Sequence, residues 1–168
     1  MRTTLYLVRH AIAEVTAPSG NDADRRLTPA GRRRMEQAAK GLAQLGVRPA
    51  AILTSPLVRA EETAHILAGA LTPNLELEVY ARLGFGHEAK EVVAGLHRHR
   101  AAGSLVLVGH QPDLGHLASY LLTGAADVVP LPFKKGAVAA IDVPGLPPDG
   151  PGVLRWFLTP KQLRAIAK

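Results

Sequence analysis

Short apolar, β-branched runs alternate along the chain with longer stretches of helical periodicity. Thr4 to Val8 (TLYLV), Ala51 to Thr54, Leu75 to Tyr80 and Ser104 to Val108 (SLVLV) read as strands. The first and fourth are almost continuously apolar, the mark of central strands covered on both faces. Leu75 to Tyr80 alternates polar and apolar residues, as an edge strand does. The helices between them have legible starts. Thr28-Pro29 is an N-cap with proline at the first helical position, followed by the apolar stripe Met35, Ala38, Ala39, Leu42 and Leu45 and closed by Gly46. Ser55-Pro56 carries the same cap signature, with Ala60, Ala64, Leu67, Ala68 and Leu71 behind it. A third helix is expected over Glu88 to His99 and a fourth from Pro112.

The tail reads differently. Ala137 to Val143 and Val153 to Leu158 are two further strands around the proline- and glycine-rich Pro144 to Gly152, and a last short helix spans Pro160 to Ala167. No internal repeat or linker separates two cores. Buried strands alternating with helices predict a three-layer α/β/α domain on a mainly parallel central sheet, one domain over residues 1–168. The connection from Tyr80 to Ser104 is too short for a large helical lid.

Composition narrows the function classes. The 168 residues are 47% hydrophobic, enough for one buried core, and contain no cysteine, which excludes disulfides, thiolate metal sites and a cysteine nucleophile. Twenty basic side chains against fourteen acidic ones give a net charge of +6, which favours anionic partners. Aromatic residues are only 4%, too few to stack unpaired bases, so nucleic acid is not expected as a partner. No apolar run approaches the ~20 residues of a membrane helix. The N-terminal run is too short for a signal peptide and meets Arg9 and His10 at once. A cytoplasmic protein with no membrane partner is the expectation.

Ligands of open α/β sheets sit beyond the carboxyl ends of the strands. Arg9 and His10 follow the first strand, Ser55 to Arg59 the second, and Gly109-His110 the fourth. Two guanidinium groups and two imidazoles at one sheet edge, with two helix starts beside them, outline a phosphate pocket. An imidazole whose Nδ1–H is held by a carbonyl leaves Nε2 free to attack phosphorus, while arginines neutralise the phosphoryl oxygens. Such chemistry needs no metal and no cofactor. Other signals carry less. Gly84-Phe85-Gly86-His87-Glu88-Ala89 satisfies a dinucleotide fingerprint but follows an edge strand and lacks the later acidic residue. His97-Arg98-His99 places its imidazoles apart on a helix, among arginines that repel a cation. Arg32-Arg33-Arg34 reads as solvated charge on an outer face, and no GxSxG elbow or GxxxxGK[ST] loop is present.

LVRHA at Leu7 to Ala11, SPLVRAEETA at Ser55 to Ala64 and VGHQP at Val108 to Pro112 together resemble the histidine phosphatase superfamily, or phosphoglycerate mutase-like fold. Arg25-x-Leu27-Thr28-x-x-Gly31 also fits, and the WFLTPKQL segment is similar to the tail of short bacterial members, the SixA-type phosphohistidine phosphatases. The resemblance implies that His10 is a nucleophile forming a phosphohistidine intermediate. It implies that Arg9 and Arg59 bind the phosphoryl group, that His110 completes the pocket, and that Arg25 lines its mouth. Two departures stand out. Ala11 replaces the family's usual glycine, which suggests an ordinary backbone there. The carboxylic acid that other branches use to protonate the leaving oxygen has no matching residue; Glu14 and Glu88 lie in about the right stretches but in no matching motif, and each reads as a solvated glutamate.

A missing acid is itself informative. An alkoxide leaving group needs a proton, whereas imidazole, with a conjugate acid near pKa ~6.5, needs far less help. The reading is therefore a metal-independent phosphohistidine phosphatase, acting on a phosphorylated protein such as a phosphohistidine-bearing signalling domain. The alternatives are a broad phosphomonoesterase for small phosphate esters and a non-catalytic phosphate-binding module.

Overall fold

The computed structural model describes residues 1–168, the side chain of Glu76 excepted. Its six strands are β1 (Thr3–Arg9), β2 (Ala51–Thr54), β3 (Glu76–Val79), β4 (Ser104–Gly109), β5 (Val138–Val143) and β6 (Val153–Leu158). They form one sheet in the order β3-β2-β4-β1-β5-β6. The first four in that order run parallel, and β5 and β6 add an antiparallel pair to the edge of β1. The two nearly continuous apolar runs are thus the central strands β4 and β1, and β3 is an edge.

Five helices cover both faces: α1 (Pro29–Gln44), α2 (Val58–Leu71), α3 (Ala89–Ala94), α4 (Asp113–Thr123) and α5 (Pro160–Ile166). Alternate residues of a strand face opposite ways, so β1 feeds two cores. Leu5 and Leu7 pack with Leu53, Leu105, Leu107 and the α3 and α4 residues Val92, Leu114 and Leu117. Val8 packs with Ile52, Val106, Val108 and the α1, α2 and α5 residues Met35, Leu67 and Leu163. This is the three-layer α/β/α architecture expected from the alternation of strands and helices.

Helix ends follow their chemistry with two exceptions. The Thr28 hydroxyl accepts the Gly31 N–H at 2.9 Å with Pro29 at the first position, as expected, and Gly46 takes a left-handed φ of 78° just past the end of α1. Leu45 falls outside the helix and is 42% exposed, so the buried stripe stops at Leu42. Ser55, in contrast, is not the cap of α2, which starts three residues later with Leu57 as its uncapped N-cap. The third helix also ends early. It stops at Ala94 and continues as a 3-10 turn over Gly95–His99. At Gly95 a Cβ would stand 1.9 Å from the buried Tyr80 hydroxyl, which donates to the Val92 carbonyl at 2.8 Å. Only glycine, with no Cβ, admits the hydroxyl this close. Nothing between β3 and β4 is larger than these short turns, and no helix among the described residues is long and apolar enough to cross a membrane.

Candidate active site

Strand register assembles the site. Arg9 and Gly109 are partners across β1 and β4, and Thr54 and Val108 across β2 and β4. The residues that follow, His10, His110 and Ser55, therefore leave the same edge of the sheet side by side. The His10 and His110 rings lie 5.2 Å apart between centroids, and both side chains are buried. Arg59, the second residue of α2, is buried beside them, and Arg9 ends β1. All four residues expected from the sequence meet here.

Hydrogen bonds set the protons. His10 Nδ1 lies 2.7 Å from the Ala11 carbonyl, which can only accept, so Nδ1 carries the hydrogen and Nε2 keeps its lone pair. His110 Nε2 lies 2.7 Å from the Ser55 hydroxyl, whose oxygen also accepts the Leu57 N–H at 3.2 Å. Ser55 can donate to Nε2 while it accepts from Leu57, and in that tautomer the His110 Nδ1–H is a donor. Arg9 donates Nη1 to the Phe133 carbonyl at 2.8 Å. Arg59 donates to the Asp22 carbonyl at 2.9 Å and to the Asp22 carboxylate at 3.1 Å. Three nitrogens, Arg9 Nε, Arg59 Nε and His110 Nδ1, are buried with no partner. Buried donors left unpaired are costly, and a set of them converging beside a free imidazole lone pair is suited to an oxyanion.

The strand end is held from behind. The Ala11 N–H donates to the Thr63 hydroxyl at 3.0 Å, and that hydroxyl donates to the Arg59 carbonyl at 2.7 Å. One side chain thus ties the His10 turn to the helix that carries Arg59. Ala11 has no left-handed φ, since Asn74 is the one non-glycine residue with positive φ among those described, so alanine fits where the motif usually has glycine.

Arg25 stands one carboxylate away. Its Nε pairs with Asp22 at 2.8 Å and its Nη1 donates to the Glu14 carbonyl at 3.0 Å, so it reaches Arg59 through Asp22. Glu14 offers that carbonyl and is exposed. Glu88 is exposed, shares a capping box with Glu91 and pairs with Lys90 at 3.1 Å. His99 lies 3.2 Å from the Glu78 carboxylate, which also pairs with Arg98.

Two contacts had no usable signal in the sequence. Asp22 is one polar residue in the loop Asn21 to Asp24. Phe85, 52% exposed, lays its ring 4.6 Å from that of His110 with the Arg59 guanidinium 5.9 Å away. It sits inside the glycine-rich stretch already set aside as a nucleotide signal, where only its exposure marks it out.

Burial pushes the His10 imidazole down to about 3, against the pull of the Ala11 carbonyl and helped by the positive charges nearby; burial and Arg59 push His110 down to about 4. Both rings stay neutral in the folded protein well below the ordinary value of 6.5. The unfolded chain then binds more protons, so these rings' contribution to stability is whole above about pH 6.5 and is lost as pH falls through the folded values. Urea midpoints are expected to drop steeply from pH 7 to pH 4, less so for His10→Ala; equal slopes would show that the buried ring charges freely.

Comparisons with known proteins match this geometry. The model of the histidine phosphatase superfamily (branch 1) matches residues 5–84, a span that holds Arg9, His10 and Arg59 and ends before His110. An uncharacterised protein of Picosynechococcus sp. is 45% identical over 71% of this chain and 73% of its own length. The phosphohistidine phosphatase SixA of Escherichia coli is 27% identical over 95% of this chain and 96% of its own. A solved structure of the protein histidine phosphatase SixA complexed with tungstate superposes with a TM-score of 0.85 at 26% identity, covering 96% of this chain and 99% of that one. A phosphoglycerate mutase from Bacillus anthracis, 16% identical with a TM-score of 0.68, shares the fold. The chain belongs to the histidine phosphatase superfamily (branch 1), as a phosphatase of the short SixA-like kind.

Proposed function

We propose that this phosphatase hydrolyses phosphohistidine on a protein, through a phosphohistidine intermediate on His10 and without a metal. The observation that carries the chemistry is that Arg9, Arg59 and His110, each with a buried unpartnered nitrogen, are grouped around His10, whose Nδ1 is held by the Ala11 carbonyl. The phosphoryl oxygens take these donors while Nε2 attacks phosphorus, and water then releases phosphate from His10. The SixA structure that resembles this fold holds tungstate, a tetrahedral oxyanion of phosphate's shape, which supports an oxyanion pocket here.

The leaving group follows from the acids. Among the described residues, Asp22 is the one carboxylate hydrogen-bonded to the four. The Arg25 and Arg59 guanidiniums hold it below the usual carboxylate range, so it carries no proton to give an alkoxide. An imidazole ring needs no proton delivered to the nitrogen that leaves phosphorus, and the name of the Escherichia coli relative supports the same substrate.

Phosphate release in excess EDTA tests the proposal, with a phosphohistidine-containing protein, an aryl phosphate and an alkyl phosphate as substrates. Phosphohistidine is expected to be cleaved with the highest kcat/KM. A preference of ten-fold or more for the alkyl ester would make the protein a broad phosphomonoesterase. Release from none of them by folded protein would leave a phosphate-binding module.

A further inference from the structure

Phosphohistidine imposes a demand that phosphate esters do not. The phosphoryl group sits on one ring nitrogen, and the ring departs as neutral imidazole only if its other nitrogen bears a proton. His10 meets that demand for its own intermediate, because the Ala11 carbonyl keeps a hydrogen on Nδ1. The substrate's ring requires an equivalent partner, set back from phosphorus by the width of the ring. An acid for an ester would instead stand against the bridging oxygen.

A cleft of about 460 Å³ meets the phosphoryl pocket at His110. Its apolar walls include Leu83 and Leu117, and Asp113, in the first turn of α4 three residues beyond His110, lines the same cleft. Asp113 Oδ2 is buried and has no hydrogen-bond partner. We propose that this cleft is the leaving-group subsite for an imidazole ring and that Asp113 holds the proton on the ring's far nitrogen. The inference rests on the phosphohistidine reading above.

The step balances. The His10 Nε2 lone pair forms the new P–N bond, the old P–N bond breaks, and its electron pair stays on the substrate nitrogen. The far nitrogen keeps the proton shared with Asp113, so the ring leaves neutral. Water then forms the P–O bond, the bond to His10 breaks, and His10 returns with its Nδ1–H unchanged. Burial pushes the Asp113 carboxyl up, partly offset by His116 and His87, which brings it closer to the imidazole it would share a proton with. The other charged or titratable groups facing the cleft are Arg82, Glu88, Lys90, His110 and Tyr120.

The test compares Asp113→Asn and Asp113→Glu with wild type, on a phosphohistidine peptide and on an aryl phosphate whose phenolate leaves without a proton. For Asp113→Asn, kcat/KM on phosphohistidine is expected to fall about 10²-fold further than on the aryl phosphate. At saturating substrate the loss in kcat shrinks as pH drops from 8 to 6, where solvent protonates the bound ring. Asp113→Glu restores part of the rate. Equal losses on both substrates, or none, overturn the assignment. Wild type alone gives a second measure: a kcat on phosphohistidine, at saturating substrate, that holds between pH 6 and 8 supports a proton holder in the site, and a ten-fold fall in kcat per pH unit contradicts one. Wild type that cleaves the aryl phosphate but not phosphohistidine removes the underlying reading instead.

Discussion

Replacing His10 by alanine is expected to lower phosphate release by at least about 10⁴-fold on every substrate, with no rescue by divalent metal. The reason is that the pocket has one free imidazole lone pair. His110 has Nε2 bonded to Ser55 and presents Nδ1–H as a donor, so it cannot take over the attack. The arginines and His110 still bind the oxyanion, so affinity for inorganic phosphate or tungstate should fall far less than turnover. The measurements are single-turnover phosphate release and, separately, a tungstate titration with folding checked by circular dichroism. Wild type quenched during turnover should carry an alkali-stable, acid-labile phosphoryl group that maps to His10. Residual turnover above about 1% of wild type would place the nucleophile elsewhere, because removal of a nucleophile costs far more than that.

The arrangement of the quartet was legible because each member follows a strand whose apolar run is unmistakable. In a parallel sheet such ends fall on one edge, so Arg9, His10, Arg59 and His110 could be gathered before any coordinates. What escaped is what depends on a side chain crossing between elements. Ser55 reads as a helix cap because Ser-Pro is a cap signature, yet its hydroxyl bonds the His110 imidazole and the Leu57 N–H, and α2 starts three residues later. Thr63 reads as one more residue of the Arg59 helix; its tie to the Ala11 N–H exists only once β1 and α2 are packed. Asp22 lies in a loop with no periodicity, 37 residues from the guanidinium it binds. Asp113 follows the His110 motif directly, but its unpaired oxygen is a property of the folded cleft and not of the Gln111-Pro112-Asp113 string. The helix expected over Glu88 to His99 tightens into a 3-10 turn from Gly95, where the Tyr80 hydroxyl packs from the end of β3, a contact that local periodicity does not show.

Charge accounts for the second large effect. Arg25 and Arg59 share the Asp22 carboxylate, Arg9 donates to the Phe133 carbonyl, and both imidazoles are neutral, so the excess positive charge is what a phosphoryl dianion would balance. Burial and then the charge of Arg59 lower the affinity of Arg9 for its own proton, which marks the two guanidiniums as an unfavourable pair without an anion between them. Arg59→Ala is therefore expected to cut kcat/KM by about 10³-fold, the scale of removing a preorganised donor to developing charge. Arg59→Lys keeps the charge but loses the fork that spans the Asp22 carbonyl and carboxylate and the spare Nε–H, and should remain about 10²-fold down. On the proposed mechanism that Nε–H meets the phosphoryl oxygens in both ground and transition states, so KM should rise along with the fall in kcat. Asp22→Asn separates binding from positioning: it frees Arg59 without removing it, so its defect should largely vanish in an Arg59→Ala background. Additive losses in that double-mutant cycle would mean that Asp22 serves the loop and not the arginine.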